Sequence, residues 1–525
     1  MRSVRRLARW PLHPFLLAAY PALFLYSRNL DEADPVEVFR LLAIALIGTA
    51  MVFLVLRRLF RGGSTAPLLT SLFVLFFFGY GIAMAPLWGR TFAGYVYGRG
   101  MILLPAWCVL FSAGATLVVR SPRIHPALTQ FLNFFSIAAL ALTTSQGLNN
   151  LFLNHNQQTA RQWSQIVRNE ALTYHSKHNH PTSERRDIYL IVADTYTRSD
   201  ILSSDFHYDN TWFERELQRL GFIIAHKSYS NYTFTYASLS ATLNLNYLSR
   251  FQRLMKTPFV SERLMKLMIY DPVVIRYLKS QGYKFVFYPS EFACTATSRH
   301  ADVTVTSQDL SFSEFEMVFL RYTVLRSITG GQNSIRKQKL YQLSHLSESG
   351  NIIGPKFVFA HIVLPHLPAY FDREGKAVYW GLDKKAYPLQ EYQKYYVDQL
   401  HYLNNRLLEI CESIIRDSRT PPIIIIQGDH GFRHAILGSD GKTQEHFPPE
   451  KLAAIFNAIY LPEGSRGRIY DSITPINTMR VALSAALGVE LPPEPDETYV
   501  ERETPQGYKM SLFRRWYDSR EAVRQ

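Results

Sequence analysis

The 525-residue sequence predicts an N-terminal block of five membrane-spanning helices followed by an α/β domain with a largely parallel central sheet flanked by helices. Three observations lead to it. Five apolar segments, each near the roughly 20 residues a spanning helix needs, precede residue 150. Beyond residue 187, short apolar runs alternate with stretches of helical periodicity, as in a parallel sheet with helices on both faces. Two of those runs end on carboxylates: Ile188-Tyr-Leu-Ile-Val-Ala-Asp194 and Ile423-Ile-Ile-Ile-Gln-Gly-Asp429-His430-Gly431. Ligands of open α/β sheets bind beyond the carboxyl ends of the strands, so two such strands can bring Asp194, Asp429 and His430 to one edge.

The apolar segments lie at 11–27, 39–57, 66–86, 101–119 and 126–146. Pro11, Pro14 and Pro21 interrupt the first, which competes with a cleaved signal peptide. No small-residue cleavage site follows it, however, and four further spans do. The basic segments Arg2–Arg9, Arg57–Arg61 and Arg120–Arg123 alternate with the acidic loop Asp31–Asp34 and the aromatic, Gly-rich loop Trp88–Gly100. Basic loops stay inside, so five crossings place residues after 150 outside the cytoplasm. The expectation is a multi-pass protein of the inner (cytoplasmic) membrane with an extracytoplasmic domain. The formal net charge is +14, but the basic residues are dispersed or cluster beside the spans. That is how a membrane protein uses Lys and Arg, and it sets a nucleic-acid partner aside. Cys108, Cys294 and Cys411 show no metal-site spacing. A Cys294–Cys411 disulfide is open, with buried thiols the simpler reading.

The chain divides at the sequence level into 1–149 (spans), 150–186 (linker), 187–500 (α/β domain) and 501–525 (a basic tail). The linker carries a helical pattern at Trp163, Ile166, Val167, Ala171 and Leu172, read as a helix on the membrane face. Its His175, His178 and His180 lack a completing carboxylate or Cys and read as solvated. Helices are expected at 210–221, 260–281, 312–326, 389–418 and 473–487. Strands are expected at 188–193, 222–225, 284–288, 357–363, 423–427 and 455–461.

Asp194 ends the first strand of the domain, and Arg198 and Asp200 follow on the turn. The hydroxyl-rich stretch Asn231 to Asn244 contains Thr233, Thr235 and Ser238. It reads as a strand-to-helix turn with Thr235 near the helix N-terminus, where unpaired N–H groups bind anions; plain helix capping is the competing reading. Phe357-Val-Phe-Ala-His361-Ile-Val-Leu-Pro-His366-Leu-Pro368 adds a histidine on a strand and another just past its end. Asp194, Asp429, His430 and the Thr235 hydroxyl suit one Zn²⁺, with Mn²⁺ as the alternative. Such a metal would activate Thr235 for attack on phosphorus or sulfur. His366 would hold a substrate oxygen or protonate the leaving group.

In order, these motifs resemble the alkaline phosphatase superfamily, which includes the sulfatases. Within it they are most similar to the membrane-anchored phosphotransferases, the lipoteichoic acid synthases and lipid A phosphoethanolamine transferases. The resemblance covers residues 187–490 and implies an alkaline-phosphatase-like α/β domain. It implies Asp194, Asp429 and His430 as metal ligands, Thr235 as nucleophile and metal ligand, and His366 as a catalytic group. Arg198, His361 and Ser238 are assigned to the substrate. His361 and His366 match a His-x4-His-x-Pro pair, and Ile473-Thr-Pro475-Ile-Asn-Thr478 resembles a late helix of that domain. No Cys/Ser-x-Pro-x-Arg stands at the nucleophile, so a formylglycine is excluded. The cysteine bracing of the lipid A enzymes and a full second metal set are absent. His434 and His446, the spare candidates, read as solvent-facing.

The function expected is a metal-dependent membrane phosphotransferase. It would take a phospholipid headgroup onto Thr235 and pass it to a glycan or glycolipid of the envelope. A phosphate- or sulfate-ester hydrolase on the same scaffold is the alternative, and a catalytically silent envelope-assembly protein the third.

Overall fold

The computed structural model describes residues 11–28, 35–60, 64–84, 91–92, 95–96, 100–152, 162–170, 185–306, 314–325, 331–380, 388–433, 435–437, 443–445, 447–504 and 507–517. His175, His178, His180, His434 and His446 lie outside the described residues, as do the expected basic segment Arg2–Arg9 and the loop Asp31–Asp34. The chain forms two compact units. One is Met1–Gln157 with Leu310–Ser334, and the other is Gln158–Asp309 with Ile335–Gln525.

In the first unit, α1 (His13–Arg28), α2 (Pro35–Leu59), α3 (Thr65–Met84), α4 (Gly100–Arg120) and α5 (His125–Phe152) occupy the five apolar segments. Three helical stretches, Val36–Leu59, Thr65–Ala83 and Pro122–Gly147, are long and apolar enough to cross a membrane. The apolar part of α4 is the shorter Leu104–Arg120, and α1 has 16 residues with Pro21 inside. Length and composition thus support three crossings among the described residues where five are expected. On α2, Phe39, Ile44, Ile47, Met51 and Leu54 face outward, on a helix long and apolar enough to cross a membrane. Inside the bundle, Asn133 Oδ1 accepts from the Leu12 and His13 backbone N–H groups at 3.1 and 2.9 Å. That supplies part of the capping that the open N–H groups at the start of α1 need.

The helix Glu314–Tyr322 also belongs to this unit, although its position in the sequence predicts it in the α/β domain. Phe315 and Phe319 pack among Leu17, Val38, Leu41, Val74 and Phe78 of α1–α3. Arg40 Nε donates to Glu316 Oε1 at 2.7 Å, and the Val324 N–H donates to the Phe77 carbonyl at 2.9 Å. The apolar stripe is genuine, but α1–α3 bury it rather than a helix layer on the sheet.

The second unit is built on a seven-stranded sheet of β1 (Ile188–Ala193), β2 (Ile223–Ile224), β3 (Lys284–Tyr288), β4 (Val303–Thr304), β5 (Lys356–Ile362), β6 (Ile423–Gly428) and β7 (Asn457–Tyr460), in the order β2-β7-β6-β1-β5-β3-β4. From β6 to β4 all neighbours are parallel, while β7 runs antiparallel to both β6 and β2. β1, β5 and β6 are buried along their whole length, which is why they read as unbroken apolar runs rather than alternating ones. Tyr189, Ile191 and Ala193 face one helix layer, containing Leu202, Phe213, Leu343 and Leu403. Ile188, Leu190 and Val192 face the other, with Leu239, Ile275, Leu278 and Met479. Each such apolar side chain contributes about 1.5–3 kcal/mol on burial, so two full layers fix the sheet firmly.

Three segments depart from expectation. The linker helix over 162–170 buries Trp163 and Val167 in a core with Phe251 and Met265, and Trp163 Nε1 donates to the Asp271 carbonyl at 3.0 Å. Its apolar face is therefore used by the second unit. Residues 260–281 form two helices, Glu262–Tyr270 and Val273–Ser280. Pro272 keeps Asp271 out of the helical region, and Asp271 has φ −135 and ψ 71 there. The expected tail begins inside a hairpin of β8 (Asp496–Thr504) and β9 (Gly507–Tyr517).

At the helix break, the Asp271 carboxylate accepts from Arg276 Nε and Nη2, each at 2.5 Å, and meets His300 Nε2 at 2.6 Å. Burial alone would raise its pKa, but His300 and Arg276 outweigh that and hold it at about 2. A carboxyl depressed in the folded state stabilises above its unfolded pKa, near 3.9, and the gain is lost as pH falls toward 2. Asp271→Asn is therefore expected to lower the thermal midpoint at neutral pH and to flatten its fall between pH 4 and 2, read by calorimetry.

Candidate active site

Register brings the site together. Ala193 of β1 pairs with Gly428 of β6 and with Ile362 of β5. Asp194 and Asp429 therefore leave adjacent parallel strands at the same level, each one residue beyond the last rung. His361 lies one rung earlier, beside Val192, with its side chain on the same sheet face. Asp194, His361 and Asp429 are buried, and one ligand atom from each lies within 4.8 Å of the other two.

His430 and Thr235 complete the cluster. His430 Nε2 is 3.5 Å from Asp429 Oδ2 and 4.0 Å from Asp194 Oδ1, and His361 Nε2 is 3.5 Å from Asp194 Oδ2. Thr235, the first residue of the helix Thr235–Leu243, sets its Oγ1 3.3 Å from His430 Nε2. Its preceding residue, Phe234, is extended, so the chain enters the helix straight and Thr235 stands at the end bearing free N–H groups. Thr235 is buried. His366 is half-buried past the end of β5 and acts electrostatically on Asp194.

The outer hydrogen bonds aim these groups inward. His430 Nδ1–H donates to the Gly431 carbonyl at 2.8 Å, which leaves the Nε2 lone pair for the cluster. His361 Nδ1 is held by Thr295 Oγ1 at 2.8 Å. Asp429 Oδ1 accepts from the Thr195 N–H at 2.9 Å. Asp194 Oδ1 and Oδ2, Asp429 Oδ2 and His361 Nε2 remain buried with no hydrogen-bond partner. Leaving that many polar atoms, two of them on one carboxylate, unsatisfied in a protein interior is costly. Two carboxylates and the His361 imidazole within 4.8 Å of one another, with His430 Nε2 beside both carboxylates, are the donor set of a divalent cation, and the residues present fit one. Burial would push the Asp194 carboxyl up, but the imidazoles of His366, His361 and His430 outweigh it and hold it well below the usual carboxylate range.

Local backbone explains the aim. Thr195 has φ +63, a strained conformation for a β-branched residue, and it turns the Thr195 N–H toward Asp429. Tyr396 pins that turn, donating to the Thr195 carbonyl at 2.7 Å and accepting from the Thr197 N–H at 3.2 Å. Gly431 passes under another strand of backbone, its N–H donating to Leu452 O at 2.6 Å. A Cβ there would overlap Lys451 O and press on Ala454 O and Leu452 O at 3.0 and 3.1 Å. Gly431→Ala is expected to cost about 1–3 kcal/mol of stability, read by denaturant melts, and to weaken metal binding by displacing His430.

The structure brings together Asp194, Thr235, Asp429 and His430 of the expected set, with His366 nearby. It places His361, expected at the substrate, among the carboxylates. Ser238 lies one turn into the helix and donates to the Tyr232 carbonyl at 2.9 Å. Arg198 is engaged by Asp200 at 2.7 and 2.8 Å and lies 4.6 Å over the Tyr229 ring. Cys294 and Cys411 are free and buried, and burial pushes both thiols up, so neither is a ready thiolate. Thr195, Thr295 and Tyr396 are the residues that sequence reasoning missed. Thr195 follows Asp194 directly, but its role rests on its backbone N–H and not on its side chain; the fold brings Thr295 and Tyr396 to the site.

No family model matches the chain, and no curated protein matches it. Several solved structures are similar to it. The C-terminal periplasmic domain of EcEptC from Escherichia coli, in complex with Zn, is 12 % identical with a TM-score of 0.42, over 63 % of this chain and 94 % of that one. The integral membrane lipooligosaccharide phosphoethanolamine transferase A (EptA) from Neisseria meningitidis is 12 % identical with a TM-score of 0.39, over 91 % and 94 %. BT33494S-sulf of Bacteroides thetaiotaomicron is 12 % identical with a TM-score of 0.38, over 63 % and 83 %. At such identities and scores, the chemistry of the site is read from its own atoms.

Proposed function

We propose that this chain is a membrane-bound, metal-dependent phosphotransferase that carries a phospholipid headgroup through Thr235 onto a hydroxyl of an envelope glycan or glycolipid. The observation that supports it is the convergence of unpartnered Asp194, Asp429 and His361 atoms, with His430 Nε2, beside the Thr235 hydroxyl. Asp194, Asp429, His361 and His430 would hold the cation, Zn²⁺ by ligand type, with Mn²⁺ the alternative. When bound, it supplies positive charge for an anionic phosphoryl group and lowers the pKa of a hydroxyl beside it.

The chain's own residues then divide the work. Thr235 loses its proton to solvent and its Oγ bonds to phosphorus as the phosphorus–oxygen bond to diacylglycerol breaks. His366 gives a proton to the departing alkoxide. The N–H groups opening the Thr235–Leu243 helix face the phosphoryl oxygens. In the second half an acceptor hydroxyl takes the headgroup phosphate and Thr235 Oγ regains a proton. Apolar spans in the same chain suit a donor that never leaves the bilayer, with the second unit on the extracytoplasmic side.

The test uses phospholipids with a fluorescent acyl chain, phosphatidylethanolamine and phosphatidylglycerol in turn, and the full-length protein in detergent. Release of fluorescent diacylglycerol that needs an added glycolipid acceptor is expected. Sustained release without acceptor would make the protein a hydrolase, and no release from either lipid would reject the proposal.

A further inference from the structure

Thr233, two residues before Thr235, has no part in the chemistry above, yet it is buried and holds a charged partner. Its hydroxyl donates to Glu501 Oε2 at 2.5 Å. The other oxygen of that carboxylate, Glu501 Oε1, accepts from Arg433 Nη1 at 3.2 Å, and the same nitrogen donates to the Thr233 carbonyl at 3.1 Å. Arg433 follows Asp429, His430 and Gly431 on the metal-binding loop. One carboxylate from β8 therefore bridges the turn that presents Thr235 and the loop that presents His430.

The rest of the hairpin grips the same turn. The Tyr499 N–H donates to the Asn231 carbonyl at 2.9 Å, and Thr498 Oγ1 donates to the Ser230 carbonyl at 2.7 Å. The Tyr499 ring stacks on Tyr232 at 5.6 Å, and Tyr508 of β9 packs on Phe234 at 5.1 Å. Every residue from Ser230 to Phe234 thus touches β8 or β9. Glu501 also reaches across to the other loop.

We propose that Glu501 is a positioning residue that sets the distance between the Thr235 hydroxyl and the metal-binding loop. The inference rests on the phosphotransferase reading of Thr235. Phe234, the one residue between Thr233 and Thr235, is extended and Thr235 begins a helix, so the link between the two hydroxyls has little slack. Fixing Thr233 against Arg433 fixes the 3.3 Å approach of Thr235 Oγ1 to His430 Nε2. An ion pair whose arginine side chain is 39 % exposed contributes little to stability by itself. Its effect is expected in the geometry of the site.

The experiment compares full-length wild type with Glu501→Ala, Glu501→Gln and Thr233→Val. It reads turnover of bis(p-nitrophenyl) phosphate, metal content by elemental analysis and the thermal midpoint. Glu501→Ala is expected to keep wild-type metal content and to lower kcat roughly 10- to 100-fold with KM within about threefold, since a misplacement near 1 Å has that effect. Glu501→Gln keeps an acceptor for Thr233 and is expected to recover part of the loss. Thr233→Val, which preserves shape, is expected to fall with Glu501→Ala and decides the matter if that variant does not fold. Wild-type kcat in Thr233→Val and in whichever Glu501 variants fold would overturn the positioning role alone. Absence of Thr235-dependent turnover in the wild type would overturn the nucleophile and this inference with it.

Discussion

Thr235→Ala should fold, bind metal and turn over at no more than about a thousandth of the wild-type rate, the scale on which loss of a covalent nucleophile acts. The fold should survive because the change removes one hydroxyl and one methyl at the first residue of a helix, at a cost of ~1 kcal/mol. The metal should survive because Asp194, Asp429, His361 and His430 are untouched. Thr235→Ser keeps the oxygen and loses only the methyl that restricts χ1, so it should retain part of the activity. A helix-capping role predicts the reverse for Thr235→Ala: lower stability and normal turnover per folded molecule. Turnover per metal-loaded, folded protein with a lipid donor separates the two.

Asp429→Asn should lose the metal and, without metal, be at least as stable as the wild type. The asparagine keeps an oxygen for the Thr195 N–H and replaces Oδ2, which is buried without a partner, by a neutral group. In the metal-free wild type, Asp194 and Asp429 face one another across a low-dielectric space, and removing one charge relieves that cost. Adding Zn²⁺ at a hundred times its dissociation constant should stabilise the wild type by about 2.7 kcal/mol and leave the variant unchanged. Thermal melts with and without chelator read both effects. A variant that still responds to Zn²⁺ like the wild type would remove Asp429 from the site.

Much of the site was legible in the sequence because it sits where strands end. Asp194 and Asp429 each close an unbroken apolar run, and such runs mark strands buried on both faces. Thr235 was legible from its place at the opening of a hydroxyl-rich helix. His361 was placed on its strand, but its role was not, because the sequence does not give the register of β5 against β1. That register is what sets His361 beside Asp194. Thr295, Tyr396 and Glu501 reach the site from distant segments through one or two hydrogen bonds each, and no spacing rule records such contacts. The helix Glu314–Tyr322 shows the complementary limit. Its amphipathic period says that one face is buried but not which partner buries it. At the C-terminus, the basic residues of β9 outweighed the alternating pattern of β8 and suggested a tail. At Asp271–Pro272 the apolar period predicts one continuous helix, while Pro272 by itself marks the break that the structure shows.

The most direct test of the central claim is the covalent intermediate itself. Full-length protein loaded with Zn²⁺ is incubated with liposomes of a bacterial polar lipid extract, quenched in acid, digested and mapped by mass spectrometry. The proposed mechanism predicts a phosphodiester-linked headgroup on Thr235, lost in Thr235→Ala and in chelator-treated protein but retained in Ser238→Ala. An unmodified Thr235 under turnover, or an adduct that maps to Ser238 and persists in Thr235→Ala, would contradict it.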